Sequence, residues 1–353
     1  MKNKLFILFV CIAAMISAHA QTDSETLNQF IAKCKPLNDT YNDAYRRKDY
    51  PRTIQTLQTM LQAFNGLQLT KADHEKYGED LRAEKTNIYY NMACCYALQN
   101  KKKKAIEAFQ KAIANGYTNY RHALKDTDLS AIHNDKLFKQ ALATIEQFDN
   151  LYILRHAKPY CKETTDTFPH FTYQQSDNNS LKQIRTYFNL DSIAGNGDEV
   201  SKILHLLRFV HNTILHDGSH FGLCESSAVD IYNYYKVTGK GVNCRQLAIA
   251  LNGMYLAMGF PSRYVTCMPK EDKDQDCHVI NCVYSSQLGK WLWMDPTFNA
   301  YVKDENGNLL SIAEVRERLI ANRPLYLNED ANWNNRVKKT KEDYLDNYMA
   351  KNL

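Results

Sequence analysis

Three things are scarce in this 353-residue chain, and each scarcity excludes a class of function. Charge of one sign is scarce: the formal net value is +5, and it falls to +3 without residues 1–20, which hold two lysines and no acid. That excess is too slight for a surface built to neutralise phosphate backbones, so nucleic-acid binding is not expected. The ten cysteines contain no C-x-x-C pair, which removes the usual spacing of a structural zinc site. No metal and no cofactor are expected. Long apolar runs are scarce too. Leu5–Met15 is too short to span a bilayer, so no membrane span is expected. With Lys2 and Lys4 before it and Ala18-His19-Ala20 just ahead of Gln21, it has the form of a secretory signal peptide. Cys11 sits inside that apolar run rather than at its end, which argues against lipid attachment there. The expectation is an exported chain, periplasmic or extracellular, starting near Gln21. Nine cysteines then remain, an odd number that leaves at least one thiol without an intrachain partner.

Residues 21–353 are enough for two domains. From 21 to 150 the pattern is helical, with apolar residues at helical spacing between charged and Gln-rich faces. Within it, Tyr89, Met92, Ala93, Tyr96, Ala105, Phe109 and Ala112 fall at the offsets of a tetratricopeptide repeat, which they resemble. Tyr117 stands where that pattern has its terminal proline. Tyr41–Phe64 is similar to a degenerate copy, and Asp126–Phe138 to the closing part of such an array. Such repeats imply a protein partner docked through this region. Lys101–Lys104 falls at the turn between repeat helices and reads as a solvated loop. Residues 159–179 lack a period and form a lead-in to the second region, 151–353.

That second region carries the chemistry. Cys244, in Gly241-Val-Asn-Cys-Arg-Gln-Leu-Ala, opens an apolar-periodic helix that Gly259 and Pro261 end. A sulfur at a helix N-terminus faces free N–H groups and the positive end of the dipole, which favour the nucleophilic thiolate. Cys277–Tyr284 and Lys290–Asp295 are β-branched and aromatic runs flanking Ser285-Ser-Gln-Leu-Gly, the pattern of an antiparallel hairpin. Centred between Ser286 and Gln287, that hairpin would set His278 directly opposite Asp295, close enough for the carboxylate to accept from the imidazole. Cys244, His278 and Asp295 thus fit the roles of nucleophile, base and orienting carboxylate. His211, His216 and His220 with Asp217 could be read as a metal cluster, but Gly218 interrupts their helix, and a helix end with polar capping is the better reading.

The stretches Asn243-Cys-Arg-Gln-Leu-Ala, Gly259-Phe-Pro-Ser-Arg-Tyr-Val, His278-Val and Trp293-Met-Asp-Pro-Thr, in this order, resemble the transglutaminase-like superfamily, a papain-like cysteine fold. The likeness covers about 201–319 and, more weakly, 180–200. The fold class it implies is α+β, a transglutaminase-like domain with a central helix against an antiparallel sheet, preceded by an α-helical repeat domain. It implies that Cys244 attacks a peptide or protein amide, that His278 shuttles the proton, and that Asp295 orients the imidazole. The Cys244 N–H would form one arm of an oxyanion hole. No second donor is identifiable: Thr238 stands where papain-like enzymes often have glutamine, and Asn243 adjoins the nucleophile. Ile280 replaces the family's frequent aromatic. Cys277 could pair with Cys267, while Trp291, Trp293 and Tyr284 read as walls of the site or core. Hydrolysis or acyl transfer through a thioester is the leading expectation. A non-catalytic scaffold that binds peptides or proteins is the alternative.

Overall fold

The computed structural model describes residues 25–160, 172–271 and 273–353. The expected signal peptide at 1–20, with Cys11, and also Cys161 lie outside the described residues. The chain divides into two compact units, one ending at Asp149 and the other starting at Asn150.

The first unit is built from helices α1 (Glu25–Arg46), α2 (Tyr50–Gly66), α3 (Lys71–Leu98), α4 (Lys102–Ala114), α5 (Tyr120–Lys125) and α6 (Lys136–Ala143). Local signals start them. Asp49 caps α2 by accepting from the Arg52 N–H, and Thr70 caps α3 by accepting from Asp73. Buried alanines, Ala93 and Ala97 on α3 with Ala105 and Ala112 on α4, let these two helices pack closely. Tyr117, in place of proline, stacks on Tyr90 with ring centroids 4.5 Å apart and closes the end of that hairpin. Lys101 lies in the turn, whereas Lys102–Lys104 form the exposed first turn of α4.

The second unit is α+β. Helices α7 (Asn150–Arg155), α8 (Asn179–Phe188), α9 (Leu190–Ala194), α10 (Glu199–Thr213) and α11 (Ala228–Thr238) precede α12 (Cys244–Ala257). An antiparallel sheet follows, with order β1 (Ser262–Cys267), β2 (His278–Ser285), β3 (Lys290–Met294). Leu247, Ala250, Leu251, Met254 and Tyr255 on α12 are at most 1% exposed, so this helix is buried on several sides, against β1, β2, α8, α10 and α11. Two buried polar bonds pin it. Asn281 Nδ2 on β2 donates to the Ala248 carbonyl at 2.9 Å, and Tyr255 Oη donates to Ile203 O at 3.1 Å. Because the fully buried Asn281 must find a partner, β2 cannot slide along α12 without leaving it unpaired.

The hairpin register differs from the sequence expectation. Ser285 pairs with Lys290 and Asn281 with Met294, so the loop is Ser286–Gly289 and its centre lies one residue later than expected. The reason is local. Gly289 takes φ +65°, Leu288 N–H donates to Ser285 Oγ, and Glu199 on α10 accepts from Ser285, Ser286 and the Gln287 N–H. In this register Asp295 falls opposite Ile280, and His278, which pairs with Cys267 on β1, lies beyond the last β2–β3 pair. A shift of the centre by a whole residue preserves pleat parity, so His278 and Asp295 still share a face, as diagonal neighbours beyond the ladder's end.

Beyond β3 come β4 (Val302–Lys303), α13 (Ile312–Ile320), β5 (Tyr326–Leu327), β6 (Asn332–Trp333), β7 (Val337–Lys338) and a π-helix (Glu342–Met349). Their apolar side chains bury Ile280 and Trp293 on the sheet face opposite α12. The sequence reading ends the domain core at about 319. The structure extends it through this segment, since Tyr344, Leu345 and Met349 are at most 1% exposed.

Leu251→Ala should destabilise the second unit by about 2–5 kcal/mol, since the cavity left in a fully buried helix cannot collapse. All three tryptophans lie in that unit, so denaturation followed by tryptophan fluorescence reads it alone. An unchanged midpoint would show that α12 is not the packing centre.

Candidate functional site: a thiol between two imidazoles

Cys244 is the first residue of α12, and Asn243 caps that helix by accepting from the Gln246 N–H at 3.0 Å. The cap uses Asn243 Oδ1 and so consumes a donor of the first turn. Gln246, 3% exposed, exchanges two 2.8 Å hydrogen bonds with Gly222 and ties the loop before α11 to the same helix end. Cys244 itself is half-buried.

His278 Nε2 bonds to Asp295 Oδ2 at 2.7 Å, with His278 1% and Asp295 0% exposed. Asp295 sits just past β3 in a bridge with Ala300, its Oδ1 accepting from the Thr297 N–H at 2.8 Å. Its Oδ2 also accepts from Tyr344 Oη at 2.6 Å, and Tyr344 in turn accepts from Trp293 Nε1 at 3.0 Å. Phe298 and Tyr348 wall the imidazole at centroid distances of 5.5 and 5.2 Å. The π-helix therefore delivers both the phenol on the carboxylate and one wall of the base.

The electrostatics separate Cys244 from the other thiols. Burial pushes Cys244 up, but hydrogen bonds from His216 and His278, the His278 charge and the Val279 N–H outweigh it and bring the thiol down to about 6. Burial drives Cys267 the other way, to about 12, and Cys282 to about 11 despite Arg263 nearby. For His278, burial opposes the charge, yet the Asp295 carboxylate raises the imidazole above the ordinary histidine range. Burial likewise opposes ionisation of Asp295, while His278, Tyr344 and the Thr297 N–H hold it below the usual carboxylate range. The favoured state is a thiolate beside an imidazolium.

Cys244, His278 and Asp295 are thus brought together. The thiolate is favoured by two imidazoles and a strand N–H, in addition to its place at the first residue of α12. The three other histidine positions separate. His211 is buried between Pro296 O and Asn332 Oδ1, each at 3.0 Å, and His220 bonds Tyr234 Oη at 2.7 Å. His216 is the one that reaches Cys244. Among the described residues all eight cysteines are free, so the Cys267–Cys277 pairing is corrected. Cys267 pairs with His278 and shares its face, and pleat alternation sends Cys277 to the other. Trp293 belongs to the core, 0% exposed. Sequence reasoning missed His216, Trp333 and Tyr344, and no local spacing ties the last two to the site.

Residues 188–296 match the family model described as the transglutaminase-like superfamily, a span that holds Cys244, His278 and Asp295. A 64-residue stretch is 33% identical to a curated chloroplastic protein of Arabidopsis thaliana, covering 18% of this chain and 18% of that protein. The chain therefore spans less than a fifth of that relative's length. No solved structure matches.

Alkylation of Cys244 by iodoacetamide should show a midpoint near pH 6, with the rate holding above it and falling below it, because a depressed thiol pKa leaves thiolate in place down to that value. A midpoint in the ordinary thiol range of about 8–9 would contradict the geometry. Tyr344→Phe should cost about 1–3 kcal/mol in unfolding experiments, since it strips a donor from a fully buried carboxylate and an acceptor from the Trp293 indole. A neutral effect would mean that water replaces the phenol.

Proposed function

From the premise of a transglutaminase-like superfamily domain at residues 188–296, we propose that this protein is an exported cysteine-dependent amide hydrolase acting on peptide or protein amides through a thioester at Cys244. One observation carries the reading. Whereas burial pushes Cys267 and Cys282 up, the half-buried Cys244 thiol is driven down to about 6 beside a histidine bonded to a buried carboxylate.

The geometry supports the following sequence of steps. The Cys244 thiolate attacks the amide carbonyl, a C–S bond forms, and the carbonyl π pair moves onto oxygen. As that pair returns, the C–N bond breaks, and the His278 imidazolium gives its proton to the departing amine. Water then attacks the thioester and loses a proton to His278, and Cys244 leaves as thiolate while the acid is released. The Asp295 carboxylate stabilises the imidazolium and keeps its ring oriented. The Cys244 N–H is one donor for the oxyanion. Hydrolysis is preferred to acyl transfer because water is the only second substrate it needs.

Export rests on the signal-like residues 1–20. The helical unit has its own part in this reading, as the recruiter of a protein partner. It holds a cavity of about 580 Å³ in which aromatic and amide side chains such as Tyr41, Tyr117, Asn87 and Asn91 alternate with charged ones such as Glu79 and Arg82, groups that can meet both the backbone and the side chains of a peptide.

The test is turnover of a peptide-amide library with mass-spectrometric detection of a hydroxylamine-labile adduct on Cys244. Cys244→Ala should abolish turnover and adduct together, and Asp295→Asn should lower kcat by roughly 10²–10⁴-fold. Turnover that survives Cys244→Ala would overturn the assignment, as would a wild-type protein that neither cleaves nor acylates and serves only to bind.

A further inference from the structure

Two imidazoles act on the Cys244 thiol, and the chemistry above uses only one; the second, His216, is bridged to Val242, two residues before the nucleophile. His216 is held with unusual care for a residue in a loop. Its chain segment is stitched to the approach to the nucleophile: Asp217 N–H donates to Val242 O at 2.8 Å, and Val242 N–H donates to Leu215 O at 2.9 Å. Gly241 lies tight against this segment: an added Cβ would meet Leu215 O at 3.0 Å and Asp217 N at 3.1 Å, so a side chain there would have to push this backbone back. From the other side the Asn334 side chain clamps the His216 backbone, accepting from its N–H at 2.8 Å and donating to its carbonyl at 2.9 Å. The neighbouring Trp333 Nε1–H donates to His216 Nδ1 at 3.0 Å.

That last bond decides the ring's chemistry. An indole N–H only donates, so the nitrogen that receives it carries a lone pair. A neutral imidazole with its lone pair on Nδ1 has its proton on Nε2, the position left to face the sulfur. His278 is bonded to a carboxylate and favours the charged, proton-shuttling form, whereas the indole on His216 Nδ1 selects the tautomer that donates from Nε2. We propose that His216 is the second oxyanion donor, its Nε2–H turning from the thiolate to the substrate oxygen as the C–S bond forms, with Trp333 as the positioning residue that fixes its tautomer. The thiolate loses its charge as that oxygen gains one, so a donor beside both follows the charge.

This rests on the Cys244 reading, and the experiment separates the two. Iodoacetamide alkylates a thiolate by displacement and forms no oxyanion. p-Nitrophenyl acetate acylates it through one, releasing p-nitrophenolate. Both rates are measured on the full chain at their pH plateaus. His216→Ala should lower the ratio of acylation to alkylation on the order of 10²-fold. His216→Gln, which keeps an N–H, should restore part of it, and Trp333→Phe should lower it less than His216→Ala. An unchanged ratio in a folded His216→Ala, or in Trp333→Phe if the alanine variant does not fold, would overturn the proposal and leave Cys244 the nucleophile. If the wild-type reacts with neither probe faster than an ordinary thiol, and Cys244→Ala matches it, both readings fall.

Discussion

The buried carboxylate of Asp295 is the group on which this site depends. A charge at 0% exposure is tolerated only when it is paired and its lone pairs are met, and here an imidazole, a phenol and a backbone N–H meet them. Each partner comes from a different part of the fold: the start of β2, the C-terminal π-helix and the turn after β3. Satisfying one carboxylate therefore joins three segments. The same arrangement raises the His278 pKa, which in turn lowers that of Cys244.

Around the sulfur the two imidazoles are told apart by what lies behind them. A carboxylate behind His278 favours the imidazolium, and an indole donates to Nδ1 of His216. Both supporting groups depend on the segment after residue 320, the Trp333 indole directly and the Asp295 carboxylate through Tyr344. Burying Ile280 and Trp293 against that segment is thus structural and chemical at once, since the packing that covers the sheet also sets the polarity of the site.

Local patterns are legible in the chain to a useful depth. Cys244 at the head of a helix, the ending at Gly259, two strands with a Gly-closed turn and the helical first unit all follow from periodicity, caps and turn residues. The hairpin reads one residue out, because the serines and Gly289 allow several loops and the choice is made by Glu199, 86 to 88 residues away. Pleat parity still puts His278 and Asp295 on one face. His216 is visible but reads as part of a polar helix end, since nothing nearby in the chain points its ring at Cys244.

The order of residues settles the elements and the identities of thiol, imidazole and carboxylate, because helix starts, pleat alternation and turns depend on residues within a few positions of one another. How those groups are charged is settled by packing alone. Trp333 meets His216 across 117 residues, and Tyr344 meets Asp295 across 49. Protonation depends on burial and on such partners, and neither exists until the chain has packed.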